Sequence, residues 1–390
     1  MSHRYAILGS GRQGVSAGYD LGRFGDAEEI VLHDIDPAAA ENGAKRLNAL
    51  LGNNVARGLP LDVRDRAQLK KALSGIDSAI SAVPYGLNPL ITETAIAAGA
   101  SLCDLGGHTD IVREQLKLDA EARKAGVTVV PDCGMGPGLN ISMAVYAMSF
   151  VDEPEEVLIW DGGLPQNPVP PWNYHLTFNI DGLTNEYYGD AYFLRDGKVT
   201  PTPFLTEIEV LDFPPPLGRL EAAVTSGGLS TAPWTFAGKL RRLENKTLRY
   251  PGHWQQFRAY HQLGLFEREP VAVNGQSVVP RDFYHALLEP KISLGAVRDI
   301  CAIRVLCNGK TGSRKASCTL ELIETYDERT GFTAMEKLTG WHAAMVAILS
   351  ARGEIARGAV PVERAITDKT LAREAEKRNW SIKNATVMES

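Results

Sequence analysis

A glycine-rich turn near the N-terminus has the residue types and spacing of a phosphate-binding loop. Gly9, Gly11 and Gly14 stand in the run YAILGSGRQGVSAGYDLG, between a short apolar segment and a helix-like one. In such a turn the first glycine allows the tight bend, the second lets a pyrophosphate approach the backbone, and the third permits close packing of helix on strand. Arg12 and Gln13 would lie at the helix N-terminus, whose free N–H groups attract the anion. The motif predicts a dinucleotide site; the alternative is that the glycines are structural in another α/β protein.

An acidic residue follows at the distance that a ribose contact requires. Asp34 ends the run EIVLHD, 20 positions after Gly14. A carboxylate there accepts hydrogen bonds from both ribose hydroxyls and repels the 2′-phosphate of NADP. Asp36, rather than an arginine, stands two positions later. The sequence therefore predicts NAD as the cofactor, in preference to NADP.

The remaining cofactor contacts can be placed from the ends of the predicted strands. Apolar runs alternate with helix-like segments, and the predicted strands span residues 5–9, 30–34, 55–61, 79–83, 101–105 and 127–131. Ligands of an open parallel sheet bind outside the carboxyl ends of its strands. We expect the adenine near Asp62 and Val63. We expect the nicotinamide ribose along the four residues Ser81, Ala82, Val83 and Pro84.

Three side chains are candidates for the catalytic groups. Asp104 and Cys133 follow the last two strands of the predicted sheet, and His253 stands in the run YPGHWQQF, where a titrating imidazole could serve acid–base chemistry. Each has a structural alternative: Asp104 could only cap the turn DLGGHTD, Cys133 could be a small buried residue, and His253 could be structural. The basic pair Arg241 and Arg242 could hold a ligand carboxylate or form a solvated helix face.

Composition excludes several classes of protein. The chain has 44% hydrophobic and 23% charged residues and a formal net charge of −6, so no basic field is available for nucleic acid. We see no secretory leader and no apolar run of the ~18 residues that a membrane helix needs. Five cysteines without a CxxC pair are typical of reduced thiols, and the scattered histidines predict no metal site. We therefore expect a soluble cytoplasmic protein without nucleic-acid or membrane partners.

The order of these patterns predicts an α/β fold with a Rossmann-type, doubly wound parallel sheet and a second α/β domain. Residues 1–135 alternate strand and helix, which is typical of the parallel sheet. Residues 136–335 contain alternating runs such as CAIRVLC and CTLELIE, joined at NGKTGS by a predicted hairpin, and indicate a mixed or antiparallel sheet. Residues 336–370 turn helical and are expected to pack back on the first domain, whereas 371–390 read as a polar tail.

Several separated motifs resemble the saccharopine dehydrogenase-like family. They are VVPDCGMGPGLNISMAVYAM, LIWDGGLPQNPVPPWNYHLTFNIDGLTNEYY, NKTLRYPGHWQQFRAYHQLGLF, PRDFYHALLEPKI and GEIARGAVPVERAI. The resemblance implies a second domain that carries substrate and dimer contacts, and NAD(P)-linked chemistry at a carbon bearing an amine. It places the segment around Cys133 at the site and the substrate near Tyr174, His175 and Thr177. The run WNYHLTF departs from the family pattern, which leaves the substrate open.

These observations together predict an NAD-dependent oxidation of the terminal amine of a basic amino acid, with lysine favoured. A protonated amine cannot release hydride from its carbon, so a group such as Asp104 or His253, or water, must first take a proton. One alternative is the reductive joining of an aldehyde to an amino acid, as in saccharopine or carboxynorspermidine formation. Another is a nicotinamide-binding sensor without catalysis. The expected partners are a small amine or amino-acid substrate and further copies of the chain, as a homodimer or homotetramer.

Overall fold

The structure, a computed structural model, describes residues 2–388 apart from 294 and 296. Residue 1 of the predicted first domain and residues 389–390 of the predicted tail lie outside the described residues. The first part of the chain alternates strand and helix. Its strands are β1 (His3–Leu8), β2 (Ala27–Asp34), β3 (Ala56–Pro60), β4 (Ser78–Ser81), β5 (Ser101–Asp104) and β6 (Thr128–Val130). Its helices are α1 (Arg12–Phe24), α2 (Pro37–Leu51), α3 (Arg66–Leu73), α4 (Asn88–Ala98), α5 (Thr109–Leu116), α6 (Asp119–Ala125) and α7 (Leu139–Met148).

The second part is rich in strands and the last part is mainly helical. The strands of the second part are β7 (Glu153–Pro165), β8 (Asp190–Arg195), β9 (Lys198–Pro203), β10 (Glu209–Asp212), β11 (Arg219–Val224), β12 (Arg242–Arg249), β13 (Val271–Val273), β14 (Gln276–Val278), β15 (Asp299–Thr311) and β16 (Arg314–Thr325). Its helices are α8 (Ile180–Glu186), α9 (Ala232–Phe236), α10 (His253–Gln262) and α11 (Pro280–Ile292). The last part comprises α12 (Ala334–Glu336), a π-turn at Lys337–Trp341, α13 (His342–Ala351), β17 (Gly358–Ala359), α14 (Val362–Ala365), α15 (Asp368–Lys377) and β18 (Lys383–Met388).

The first sheet is parallel and has the strand order β17-β6-β5-β4-β1-β2-β3 among the described residues. Its central strands are apolar on both faces because helices cover both; Ile7, Leu8, Ile30 and Ile80 are fully buried. The order reverses between β1 and β4, so ligands are expected above the carboxyl ends of these two strands. The predicted Rossmann-type sheet is confirmed, and each predicted strand overlaps an observed one.

The second sheet is mixed, with the order β10-β11-β12-β7-β15-β16-β18 along its main path. β7 runs parallel to β12 and antiparallel to β15. The predicted hairpin is also present, since Thr311 of β15 pairs with Arg314 of β16. Buried and less buried residues alternate along most of both strands, because one face of the sheet is more deeply covered than the other. The predicted second domain with a mixed sheet is thus confirmed.

The prediction of a polar tail from residue 371 is wrong. Leu371, Ala375 and Trp380 are buried, so the segment LAREAEKRNW is amphipathic rather than uniformly solvated. The Arg378 side chain is fully buried and lies 2.6 Å from Asp20 of α1. After this contact with the first domain the chain returns to the second, where β18 pairs antiparallel with β16. In the described part of the chain, no helix is long and apolar enough to cross a bilayer.

Candidate active site

The glycine-rich turn forms a cradle between β1 and α1. Gly9 has a φ of +101°, and a Cβ on it would lie 2.6 Å from the Ala82 carbonyl oxygen. A Cβ on Gly14 would overlap the Gly9 carbonyl oxygen, so the turn can pack this closely only with glycine at both positions. By contrast, a Cβ on Gly11 would meet no atom within 4 Å. Gly11 therefore borders open space at the start of α1, where no side chain caps the helix, and the turn fits a dinucleotide pyrophosphate.

This geometry separates the binding role of Gly11 from the packing role of Gly14. Gly11→Val is expected to weaken NADH binding by roughly 100-fold, because the added methyl groups occupy the space that the pyrophosphate needs, while the unfolding free energy stays near that of the wild type. Gly14→Ala is expected to lower both the affinity for NADH and the free energy of unfolding, because its Cβ collides with the Gly9 carbonyl. Fluorescence titration with NADH and chemical denaturation measure the two quantities. Unchanged NADH affinity in Gly11→Val would place the pyrophosphate elsewhere.

Asp34 is held beside the cradle at the end of β2. One carboxylate oxygen accepts a hydrogen bond from Ser10 N at 2.8 Å and the other accepts from Asp36 N at 3.0 Å. Each oxygen retains lone pairs for a ribose hydroxyl. Asp62 is paired with the exposed Arg64 at 2.7 Å, and that partner lowers the pKa of Asp62 to about 2. These residues lie at the expected adenosine end of the cradle.

The predicted nicotinamide-ribose segment runs along the inner side of the cradle. Ser81 donates a hydrogen bond to Asn88 Oδ1 at 2.7 Å, so its hydroxyl helps to hold the following helix. Ala82 donates its N–H to Leu8 O at 2.7 Å. The Ala82 carbonyl and the Val83 side chain border Gly9, so this segment positions the glycine turn through its backbone.

A cavity of about 270 Å³ lies between the two domains. The first domain lines it with glycine turns after β5 and β6, including Gly107 and Gly134, and with Gln13 of α1. The second domain contributes a charged wall of Asp161, Glu186 and Arg249. Because Gln13 belongs to the cradle and also lines the cavity, a dinucleotide bound in the cradle would reach into the cavity with its nicotinamide end.

Asp161 is a buried carboxylate in the middle of the cavity wall. It stands on β7, where two amide side chains hold it: Asn140 donates to Oδ2 at 2.8 Å and Asn245 donates to Oδ1 at 3.1 Å. Burial raises its pKa to about 6, although both amide donors favour the ionised form. Gly136 approaches so closely that a Cβ there would overlap Oδ2. Asp161 thus faces the first-domain turn that lines the cavity.

Glu186 and Arg249 lie together on the same wall. Glu186 Oε2 is 3.6 Å from Arg249 Nη2; Arg249 is 3% exposed, whereas a third of the Glu186 side chain is accessible, on the side that lines the cavity. Partial removal from water at the cavity wall raises the pKa of Glu186 to about 7, and Arg249 opposes the shift. Tyr174 packs under the guanidinium, with 5.0 Å from Arg249 Cζ to its ring centroid. The wall therefore offers both anionic and cationic contacts.

Comparison with known protein families relates both parts of the chain to the same family. The profile of the saccharopine dehydrogenase NADP binding domain matches residues 5–130, and that of the saccharopine dehydrogenase C-terminal domain matches residues 134–378. The chain belongs to the saccharopine dehydrogenase family. The family predicted from the sequence motifs is confirmed. The family is named for dehydrogenases, which are oxidoreductases, and its NADP-binding domain is the one that carries the cradle.

The similarity to individual relatives is partial in sequence and extensive in fold. Saccharopine dehydrogenase [NADP(+), L-glutamate-forming] of Saccharomyces cerevisiae is 27% identical over 43% of this chain and 38% of its own length. Mitochondrial alpha-aminoadipic semialdehyde synthase of Mus musculus is 26% identical over 53% of this chain, a segment that is 23% of the mouse protein. The chain thus spans well under half the length of these curated relatives.

Solved structures extend the likeness in fold to nearly the whole chain. Apo saccharopine dehydrogenase (L-Glu forming) of Saccharomyces cerevisiae superimposes with a TM-score of 0.77 and 19% identity, covering 99% of this chain and 100% of that one. Homospermidine synthase of Legionella pneumophila, in complex with NAD, gives a TM-score of 0.64 and 11% identity, covering 99% and 92%. At these identities the likeness establishes the fold.

The three catalytic candidates of the sequence do not line the cavity of this saccharopine dehydrogenase family member. Asp104 is buried and accepts hydrogen bonds from Gly106 N at 2.8 Å and Gln115 Nε2 at 2.7 Å, which is the capping alternative. Burial raises the pKa of its carboxyl. Asp104 therefore supports the turn that lines the cavity, and its assignment as a catalytic base is not retained.

Cys133 and His253 are also packed inside the protein. Cys133 is fully buried; burial raises the pKa of its thiol well above the usual range, so it is a poor nucleophile. His253 lies against Phe257, with ring centroids 4.2 Å apart, and its Nε2 is 3.0 Å from Tyr187 Oη. Burial lowers the pKa of His253 well below the usual range, so it stays neutral and structural. The structure thus gives both residues packing roles.

The predicted substrate residues divide into two groups. Tyr174 and Thr177 line the cavity. His175 instead lines a separate cleft together with Arg12, at the start of α1 and beside the cradle. Arg241 and Arg242 lie outside the cavity: Arg241 pairs with Glu156, and Arg242 pairs with Glu244 at 2.7 Å. The prediction that this arginine pair holds a ligand carboxylate is corrected, because neighbouring glutamates already neutralise it.

The sequence patterns did not identify the two acids or the arginine of the cavity wall as functional residues. Each of the three nevertheless stands in a motif that carries the family resemblance. Asp161 is the acid in the apolar run VLIWDGGLP, Glu186 is in LTNEYY and Arg249 is in TLRYPG. A charge within an otherwise apolar buried strand is expensive unless it is paired or functional. That cost is the signal that could have identified Asp161, whereas Arg249 ends the polar run RLENKTLR, in which one more charge gives no such signal.

Proposed function

We propose that this chain catalyses the NAD-dependent oxidation of the terminal amine of a basic amino acid, with L-lysine at its ε-carbon as the favoured substrate, a lysine 6-dehydrogenase-like activity. The observation that carries the proposal is Asp161, a buried carboxylate that faces the first-domain side of a cavity adjoining the dinucleotide cradle. A carboxylate in such a site attracts an ammonium group. When bound, the dinucleotide would supply the hydride acceptor.

Asp161 has the properties of the proton acceptor in this reaction. An alkyl ammonium must lose a proton before its carbon can give up hydride, since the nitrogen lone pair stabilises the iminium product. With a pKa of about 6, the Asp161 carboxyl is ionised at neutral and alkaline pH. Asn140 and Asn245 fix its orientation, and Gly136 leaves room for Oδ2 at the cavity surface. Desolvation in the cavity also lowers the pKa of the substrate ammonium, which brings it closer to the pKa of the Asp161 carboxyl.

A substrate panel tests the activity. Purified chain with NAD and L-lysine at alkaline pH is expected to form NADH, followed by absorbance, with ornithine and cadaverine as related amines. Absence of NADH formation across the panel would contradict the proposal. The name of the yeast relative supports a second candidate, oxidation of the secondary amine saccharopine, or its reductive formation. Turnover with saccharopine alone, or NADH consumption that requires both an aldehyde and an amino acid, would favour it.

Asp34 supports NAD as the cofactor, and its replacement gives a direct test. Asp34→Ser is expected to lower the ratio of kcat/KM with NAD to kcat/KM with NADP by roughly 10- to 100-fold. The change removes the acceptor of the ribose hydrogen bonds and the charge that repels a 2′-phosphate. Steady-state kinetics with the two cofactors measure the ratio. Asp65→Ser is the matched control, since the Asp65 carboxylate caps α3 through Ala67 N at 3.0 Å and has no part in the cofactor argument. An unchanged ratio in Asp34→Ser would show that another residue selects the cofactor.

A further inference from the structure

The Glu186–Arg249 pair is placed and bonded in a way that leaves both charges available to a ligand. Their closest atoms, Oε2 and Nη2, are 3.6 Å apart, which is too long for a strong hydrogen bond. Both residues line the cavity. An acid and a base that lie side by side at a cavity surface, without closing on each other, can each take an opposite charge from a bound molecule.

Arg249 is held in position by two hydrogen bonds from its guanidinium to the protein. Nε donates to Tyr187 Oη at 2.8 Å and Nη1 donates to Leu248 O at 2.9 Å. Tyr187 is in turn held by His253 Nε2, 3.0 Å from its hydroxyl oxygen. These bonds leave Nη2, on the Glu186 side, to face the ligand. Because the group is pre-organised, little conformational entropy is lost when a carboxylate binds.

Resting on the proposed function, we infer that Glu186 and Arg249 form a subsite for the head group of an α-amino acid. Glu186 binds the α-ammonium and Arg249 binds the α-carboxylate, while the terminal amine extends to Asp161. An α-amino acid carries its ammonium and its carboxylate on the same carbon, so its two opposite charges lie close together, as the pair requires. A diamine would leave Arg249 facing a cation, and a simple amino-alkyl acid would leave Glu186 without its ammonium, so the pair selects amino acids over both.

The titratable groups around Glu186 and its partial burial set the pH range in which it can bind a cation. Those that interact with it electrostatically are Arg249, Asp161, Tyr174 and Tyr187. Burial raises the pKa of Glu186 to about 7, so the carboxyl binds an ammonium best when the pH is above that value. Affinity for the head group is therefore expected to rise as the pH increases through about 7.

Calorimetry on the chain without cofactor tests the subsite independently of turnover. The probes are L-lysine, L-norleucine (head group only), 6-aminohexanoate (no α-ammonium) and cadaverine (no carboxylate). We expect L-norleucine to bind, and cadaverine and 6-aminohexanoate to bind at least ~10-fold more weakly than L-lysine. Failure of L-norleucine to bind where L-lysine binds, or cadaverine binding as tightly as L-lysine, would overturn the inference.

Variants assign each half of the subsite. Glu186→Gln is expected to weaken L-norleucine roughly 10-fold and to leave 6-aminohexanoate unchanged, because that probe has no α-ammonium. Arg249→Lys is expected to weaken both and to spare cadaverine. Glu244→Gln, an acid outside the cavity, is the control. Equal losses for probes with and without the missing charge would overturn the inference.

Wild-type turnover separates failure of the subsite from failure of the proposed function. If the wild type oxidises cadaverine as fast as L-lysine, the subsite is wrong and amine oxidation stands. If it oxidises no amine, the proposed function itself is wrong.

Discussion

Replacing Asp161 by asparagine is expected to lower kcat with L-lysine and NAD by roughly 10²- to 10³-fold. Asparagine has the same shape and keeps an oxygen for one of the two amide donors, but it cannot take a proton from the substrate ammonium. The loss should fall on kcat more than on the KM for NAD, because the cradle lies on the first domain. Steady-state kinetics with saturating cofactor measure the effect.

The pH profile gives the same residue a second signature. Because burial raises the pKa of Asp161 to about 6, its active, ionised form is lost as the pH falls through that value. Wild-type kcat/KM should therefore decline below about pH 6, and this limb should be absent in Asp161→Asn. Glu363→Gln is the matched control: Glu363 is a buried acid bonded to Thr231 and Thr235 and does not line the cavity. Near-normal kcat in Asp161→Asn would mean that water or another group accepts the proton.

Replacing Arg378 by methionine is expected to lower the free energy of unfolding by about 3–5 kcal/mol. The change leaves the Asp20 carboxylate fully buried without its cation, and it also removes the 2.8 Å contact with Glu374. Chemical denaturation at neutral pH measures the loss. Arg373→Met on the preceding helix is the control: the half-exposed Arg373 pairs with Glu354 and with Glu374, which keeps Lys377 and Arg378 as partners, so its loss should cost ~1 kcal/mol or less.

The sign of the pH dependence follows from Asp20. Burial already raises its pKa to about 6, with Arg378 opposing the shift; without the arginine the pKa rises further. A group with a raised pKa in the folded state destabilises the fold progressively as the pH rises and it must ionise. The stability deficit of Arg378→Met should therefore shrink as the pH is lowered from the raised pKa of Asp20 in the variant towards about 6, because Asp20 is protonated first in the variant. A deficit equal to that of Arg373→Met at every pH would show that the buried pair contributes little.

The sequence predicts the cradle well because its physics is local. A tight turn, a helix start and an acid at the next strand end are all set by neighbouring residues, so Gly9, Gly11 and Gly14 could be placed by inspection. The succession of strands and helices along the chain and the hairpin at NGKTGS are equally readable, since alternation and turn chemistry are also local.

The charged wall of the cavity depends on pairing between distant segments. Asp161 meets Asn245 because β7 and β12 run parallel, and that register is fixed by the whole sheet. Position at a strand end likewise locates a backbone without giving the direction of a side chain. Asp104 and Cys133 stand where predicted, but their side chains turn into the protein. Arg241 and Arg249 lie in the same segment of the chain. Arg241 is exposed and Arg249 is buried at the cavity, and this difference in burial cannot be read from the sequence.

The path of the chain between the domains limits how the cleft can move. The chain passes from one domain to the other after α7, after β16 and again after α15, where β18 rejoins the second sheet. Any opening motion between the domains must therefore bend all three connections together. The C-terminal strand, remote in sequence from the cavity, thereby ties the second sheet to the helix that packs on the first domain.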